Sequence, residues 1–361
     1  MPGRKELRNV RFRIETANGT LRAPRFIYRG NGEMIEDARE VKQVAMQVGI
    51  FRGTDETYIP KLMAHLDLAE TEATFEQLPD LFLMSGFGTN GGNVAGSAQG
   101  ASGSTTVFTL IPPSTLVFPT YSYTVEAGNG TASNDGWSET MPYTLCEELT
   151  ISGKGGEALK VKASLTGQYG TSINAVGSFT NVGTLPSVEA IMAGAGTFWL
   201  SPVGSGFGSQ QVTAGNILAF EIKYKTTWAY KYPVDSGLLT YATAVFTDQD
   251  ITGKITLEAQ SSGTYGAWGS AGQKEKWRAQ TPQLLTATWR GAAITEGTTY
   301  SNKEFTIQHP IKWEKMPKIN DMDGNDILEG EFFSNFNAAT PAAGRGTVRI
   351  VRVGTSEFAG A

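Results

Sequence analysis

The chain has few of the residues that most chemistry requires. Its 361 residues include one cysteine, Cys146, and two histidines, His65 and His309. A lone cysteine forms no intramolecular disulfide, so nothing points to an oxidising compartment. Cys146 reads as a small buried apolar residue rather than a reactive thiol, and maturation in a reducing cytoplasm is the expectation. Two isolated histidines, one on a strand-like run and one before Pro310, make a poor acid/base pair and form no metal motif. There is no nucleophile elbow and no cysteine pair, so no enzymatic activity, metal or cofactor is expected. No stretch approaches the roughly 20 apolar residues of a membrane span. The opening MPGRKELRNVRFRIE lacks the apolar run of a secretory signal, so neither export by that route nor a membrane anchor is expected.

Three local strings invite functional readings and fail them. In SGKGGE the residue after Lys154 is Gly155, where a phosphate loop needs Ser or Thr, so the string reads as a hairpin turn. In DMDGNDILEGE, Asp321, Asp323 and Asp326 lie close together. The sixth and twelfth loop positions are Asp326 and Phe332, however, where a calcium loop wants Gly and Glu, and an Asp-Gly turn is the better reading. The glycosylation sequons at Asn18 and Asn129 read as turns.

What the chain does have is β-forming sequence. With 43 glycines, 18% charged residues and many Val, Thr, Tyr and Phe, it belongs to the mainly β class with short helices, and its length suggests two domains. Val10, Phe12 and Ile14 alternate with Arg11, Arg13 and Glu15 ahead of Asn18-Gly19, which predicts an N-terminal hairpin with a tight type I′ turn. Gly86 to Ser104 holds seven glycines without periodicity and reads as a flexible loop. Charge is unevenly spread. Residues 1–30 carry eight basic and two acidic residues, a balance of +6, while residues 31–150 carry four basic and sixteen acidic, a balance of −12. The two stretches should attract. A nucleic-acid reader is usually basic throughout, so the N-terminal arginines read as a protein-contact surface.

One pattern occurs twice. EQLPDLFLMSG presents Gln77, Pro79, Leu81 and Phe82; AQTPQLLTATWRG presents Gln280, Pro282, Leu284 and Leu285. Phe75, Leu78, Leu81 and Phe82 fall at helical spacing with Thr74 as a candidate N-cap, and Pro79 keeps the helix short. Strand-like runs surround both copies in the same order. This predicts a degenerate internal duplication, 1–180 and 181–361, with a helix at each Gln-x-Pro-x-Leu. The first unit carries the basic hairpin and the Gly-rich loop, and the boundary falls near residues 175–190.

Together, the duplicated order, LDLAETEATFEQLPDLFLMSG, and the closing KEFTIQHPIKWEKMPKINDMDGNDILEGEFFSNFNAATPAAGRGTVRIVRV resemble the tail tube, or major tail, proteins of long-tailed, non-contractile bacteriophages. The resemblance implies two tandem β-sandwich tail-tube domains, each with a flanking helix. It also implies self-association into stacked rings, trimers with pseudo-six-fold symmetry being the form that two tandem domains would take. Genomic DNA would pass through such a tube without being bound specifically, and acidic or neutral walls would suit that passage. Implied partners are further copies of the chain and the tape measure, terminator and tip proteins. The implied location is the virion, after synthesis in the host cytoplasm. Another virion component on the same domain, a hub or terminator, is the nearest alternative, and a two-domain β-sandwich carbohydrate-binding module is a more distant one. Within this picture Arg4, Arg8, Arg11, Arg13, Arg22, Arg25 and Arg29 are expected to form an inter-subunit basic arm. Phe12, Phe26 and Tyr28 would supply its apolar contacts, and Glu33, Glu36 and Asp37 are candidate acceptors.

Overall fold

The structure is a computed structural model. It describes residues 8–22, 26–30, 33–43, 57–88, 97–99, 105–113, 116, 118–119, 121–129, 137–169, 172–173, 188–213, 215–234, 239–258, 272–294, 300–316, 319–322, 324–335 and 346–353. The molecule is mainly β with short helices, and every strand pairing among these residues is antiparallel. The expected boundary lies mostly outside the described residues, which lack 174–187.

Strand β1 (Arg8–Ile14) lies between β2 (Phe26–Tyr28) and a later strand, with Val10 opposite Tyr28 and Phe12 opposite Phe26. The predicted hairpin is present, but its connection is wider than a two-residue turn. Gly19, at φ +78°, sits in a turn closed by Thr20 N donating to Ala17 O (2.9 Å). Next, β3 (Glu36–Asp37) and β4 (Glu40–Gln43) run out along one line, and β5 (Thr57–Lys61) and β6 (Ala64–Glu72) run back along the other. Helix α1 (Leu78–Met84) follows, with Gln77 as N-cap and Pro in its first turn. Phe75, Leu78, Leu81 and Phe82 are all buried, as their spacing predicts. Thr74 does not cap the helix; its hydroxyl donates to Gln77 Oε1 (3.1 Å). Because six of the seven residues of α1 are buried, the helix is enclosed by strands, as expected of a helix that is apolar nearly all round.

In the Gly-rich stretch, β7 (Ser97–Gln99) pairs with β8 (Thr105–Leu110), so part of the predicted loop is strand; 89–96 and 100–104 lie outside the described residues. Strands β9 (Tyr123–Asn129), β10 (Trp137–Lys154), β11 (Lys160–Gly167) and β12 (Ser172–Ile173) complete this half. The Lys154–Glu157 turn between β10 and β11, with Gly156 at φ +86°, is the hairpin turn read from SGKGGE. The second half contains β13 (Gly196–Pro202), β14 (Ile217–Lys231), β15 (Thr243–Glu258), α2 (Gln273–Arg278), β16 (Gln283–Ala293), β17 (Asn302–Lys315), β18 (Asn320–Met322), β19 (Asn325–Ser334) and β20 (Thr347–Val353). β18 and β19 pair around Gly324, at φ +82° with its N–H donating to Asp321 Oδ1 (3.1 Å); Asp323 lies outside the described residues.

The second Gln-x-Pro-x-Leu copy corrects the sequence reading. Gln77 and Pro79 begin a helix, whereas Gln280 ends one and Leu284 and Leu285 lie in β16. Gln280, at φ +51°, is the left-handed residue of a Schellman cap, with Gln280 N donating to Trp277 O (3.0 Å) and Thr281 N to Lys276 O (2.9 Å). Pro282 then prevents further helix and the chain extends. The two copies therefore occupy unrelated local structures.

The order of strand pairing is nevertheless similar in the two halves. The first half pairs in the order β6, β11, β10, β9, and the second in the order β15, β19, β17, β16. In each half a helix follows the first of these strands, and the third is long enough to serve two partners in succession. Thus β10 pairs with β9 as far as Thr144 and with β11 from Leu145, while β17 pairs with β16 as far as Ile311 and with β19 from there. Two further pairings join the halves: β10 with β14, and β8 with β20. The core is continuous across them, with Phe82 of α1 edge-on to Tyr224 of β14 (5.2 Å) and near Phe305 of β17 (6.3 Å).

Cys146 of β10 is fully buried, and its thiol lies 3.2 Å from Glu148 O. Burial pushes the thiol pKa up to about 12, so almost no thiolate exists at neutral pH. The native protein is expected to resist a thiol reagent that labels the urea-unfolded chain stoichiometrically; rapid native labelling would show that this strand opens.

Candidate assembly surface

Among the described residues, Arg11 and Arg22 of the basic N-terminal stretch are held within the fold. β1 is an interior strand of its sheet, paired with β9 as well as β2, and its side chains alternate between the two faces of that sheet. Phe12 and Tyr28 are buried in the core with ring centroids 5.3 Å apart. Arg11 is buried opposite Glu126; burial lowers its pKa and the Glu126 carboxylate opposes that shift. Arg22 is tied down by its N–H to Thr124 Oγ1 (3.1 Å) and by Nη1 to Ile14 O (3.4 Å). Arg11, Phe12 and Tyr28 are thus buried within the chain itself rather than set out on its surface, and Arg22 is half-buried. Arg13 is half-buried and Arg29 exposed. The backbones of Arg8 and Phe26 lie in β1 and β2, and Arg4 and Arg25 lie outside the described residues. Among the expected acceptors, Asp37 binds Arg39 Nε (2.6 Å) instead.

The residue that organises this corner is Glu15, which sequence reasoning took only as part of an alternation. Its buried carboxylate accepts from Gly19 N (2.8 Å), Ser122 Oγ (2.5 Å), Thr124 Oγ1 (2.9 Å) and Tyr143 N (2.9 Å). Tyr143 sits at the irregularity where β10 changes partner, at φ +51°. Its carbonyl accepts from Tyr241 Oη (2.6 Å) and its hydroxyl from Ala244 N (3.2 Å). A second polar tie joins the halves: Lys303 of β17 reaches Glu76 (2.6 Å) and Glu189 (3.0 Å). Burial works to lower the Lys303 pKa, but the bonds to Glu76 and Glu189 outweigh it and the net shift is upward.

The histidines lie in strands that do not correspond in the two pairing orders, His65 in β6 and His309 in β17. His65 Nδ1 is 2.8 Å from Thr166 Oγ1, and buried His309 has Nε2 3.1 Å from Tyr224 Oη. Among the described residues no group of His, Cys, Asp and Glu has the arrangement of a metal site, and no helix is long and apolar enough to cross a membrane.

The surface features that stand out are strand edges. Among the described residues, β3 pairs only with β6, β4 only with β5, and β18 only with β19. The β4–β5 ribbon also exposes Val41 (55%) and Tyr58 (51%). Unpaired edges and exposed apolar side chains on a thin ribbon are the features that natural proteins cover or use.

Comparison with protein-family models finds no match, and comparison with curated proteins finds none either. Among solved structures, the SPP1 tail tube, determined by solid-state NMR and electron cryo-microscopy, is similar at 8% identity with a TM-score of 0.28. The alignment covers 47% of this chain and 86% of that one.

Proposed function

We propose that this chain is a structural protein of a phage tail, a tail tube protein whose copies form rings that stack into a hollow tube for genomic DNA. The observation that carries the reading is the repeated pairing order, β6–β11–β10–β9 and β15–β19–β17–β16, in a chain whose sequence resembles tail tube proteins. Two tandem units per chain make the ring a trimer with pseudo-six-fold symmetry. The role is structural rather than catalytic, and its partners are the chain itself and the other tail proteins. Tube walls that are acidic or neutral repel phosphate and allow double-stranded DNA to slide, which the net charge of −5 suits.

Electron microscopy of the purified full chain tests this reading. Rings of three chains that stack around a central channel are expected. A protein that stays monomeric at high concentration would overturn the assembly, and rings of six chains would overturn the tandem division.

A further inference from the structure

β13 pairs with β16, and β14 pairs with β10 and β15, but among the described residues β13 and β14 do not pair with each other. A cavity of about 230 Å³ lies between them. Phe198 of β13, Phe220 of β14 and Trp289 of β16 form one side of it, with the Trp289 ring edge-on to Phe198 (5.4 Å) and tilted to Phe220 (5.7 Å). The exposed residues Lys154 and Thr213 stand at its mouth. An apolar cavity of about 150 Å³ already accepts a benzene ring, so this one has room for an aromatic side chain.

The Trp289 indole distinguishes this cavity from a packing defect. The residue is 1% exposed, and its Nε1 is buried with no hydrogen-bond partner among the described residues. The indoles of Trp228, Trp277 and Trp313 all donate, to Cys146 O, to Glu314 O and to two glutamine oxygens. A buried indole nitrogen usually finds an acceptor, and leaving it without one is costly. Gly196, which also lines the cavity, lies opposite Trp289 in register, and a Cβ at that position would stand 2.6 Å from Nε1. Glycine therefore leaves clear an approach to the nitrogen that a larger residue would block.

This chemistry calls for an apolar group that carries a hydrogen-bond acceptor. Of the large apolar side chains exposed among the described residues, only Tyr58 has an oxygen. Tyr58 is 51% exposed on the β4–β5 ribbon, which pairs with no other strand among the described residues, and it is not one of the residues around the cavity of its own chain.

We propose that Tyr58 of one copy enters the β13–β14 cavity of the next, with its ring against Phe198 and Phe220 and its hydroxyl accepting from Trp289 Nε1. The occupant is a second copy of this protein. Because ribbon and cavity are different surfaces, the contact is heterologous and passes from copy to copy, generating a closed ring when its rotation closes. Interfaces concentrate their binding energy in aromatic anchors that fill desolvated pockets. A two-stranded ribbon is marginal alone, and a neighbour that holds its tyrosine supports it.

The contact rests on the assembly reading above, and two measurements separate them. Tyr58 is exposed, so its substitution leaves the core intact. Tyr58→Ala should raise the concentration needed for assembly at least about thirtyfold by sedimentation, and Tyr58→Phe, which keeps the ring and loses the acceptor, about fivefold. Photoreactive benzoylphenylalanine placed at Thr213, at the cavity mouth, reports what occupies the cavity. In a mixture with isotope-labelled wild-type chain, mass spectrometry should find the unlabelled substituted peptide joined to the labelled peptide that contains Tyr58. If the wild type assembles but the links go to another segment, or both Tyr58 variants assemble as the wild type does, this contact is wrong and the assembly reading survives. If the wild type stays monomeric at high concentration, both fall.

Discussion

Replacing Glu15 by Ala is expected to lower the unfolding free energy by about 4 kcal/mol, comparable to breaking a buried ionic cluster. The carboxylate satisfies two backbone N–H groups, of Gly19 and Tyr143, and two hydroxyls, of Ser122 and Thr124, all within 2.9 Å. Ala removes every acceptor at once, and each stranded buried donor costs about 1–3 kcal/mol before water or local rearrangement recovers part of it. The loss falls where the backbone is least able to bear it. Tyr143 holds a left-handed conformation that costs an L-residue about 1–2 kcal/mol, maintained because its neighbours bind its N–H, carbonyl and hydroxyl. Freed from Glu15, the corner of β10 should relax, and β1 and β9 should lose their common anchor. Glu15→Gln keeps one acceptor oxygen and should lose less, about 1–3 kcal/mol. Urea denaturation of the two variants checks both the size and the order. A Glu15→Ala midpoint indistinguishable from wild type would mean that the network does not hold this corner.

The second large effect is expected at Trp313, on the strand that closes the second half. Its ring is 1% exposed and stands edge-on to Phe332 (6.1 Å), with Gly330 directly beneath. A Cβ on Gly330 would lie 2.5 Å from Trp313 Cζ3, so a glycine there makes room for the indole. The indole N–H donates to both Gln273 Oε1 (3.1 Å) and Gln283 Oε1 (2.9 Å), which ties the start of α2 and the start of β16 to β17. Trp313→Ala should cost about 3–5 kcal/mol through the cavity, and strand two buried glutamine oxygens besides. Trp313→Phe retains most of the apolar packing and should lose about 1–3 kcal/mol, chiefly from the missing donor. Thermal unfolding distinguishes the two. Equal losses would place the whole effect in the hydrogen bonds, and a Phe variant as stable as wild type would show that the glutamines find other partners.

Sequence alone determined the features that depend on near neighbours. The mainly β class followed from composition and alternation. The turns at Lys154–Glu157 and at Gly324 followed from glycines that accept positive φ, and the buried face of α1 followed from the spacing of Phe75, Leu78, Leu81 and Phe82. The burial of Cys146 was legible because a single cysteine with no partner is most often packing.

Tertiary structure alone decided the rest. Gln-x-Pro-x-Leu begins a helix at Gln77 and follows one at Gln280, because a four-position match says nothing about where the preceding turn closes. Trp277 and Gln280 dock on the carbonyls of β17, and that docking places the end of α2. Residues 1–30 read as a basic projection, yet β9, more than a hundred residues later in the chain, covers β1 and buries Arg11 beside Glu126. Glu15 carried no signal, since its four donors come from three separate segments. The pairing order common to the two halves was likewise decided only by which strand pairs with which. Backbone N–H and C=O groups are the same in every residue, so a strand's partner is chosen by long-range packing and register, and two halves with different side chains can share one pairing order.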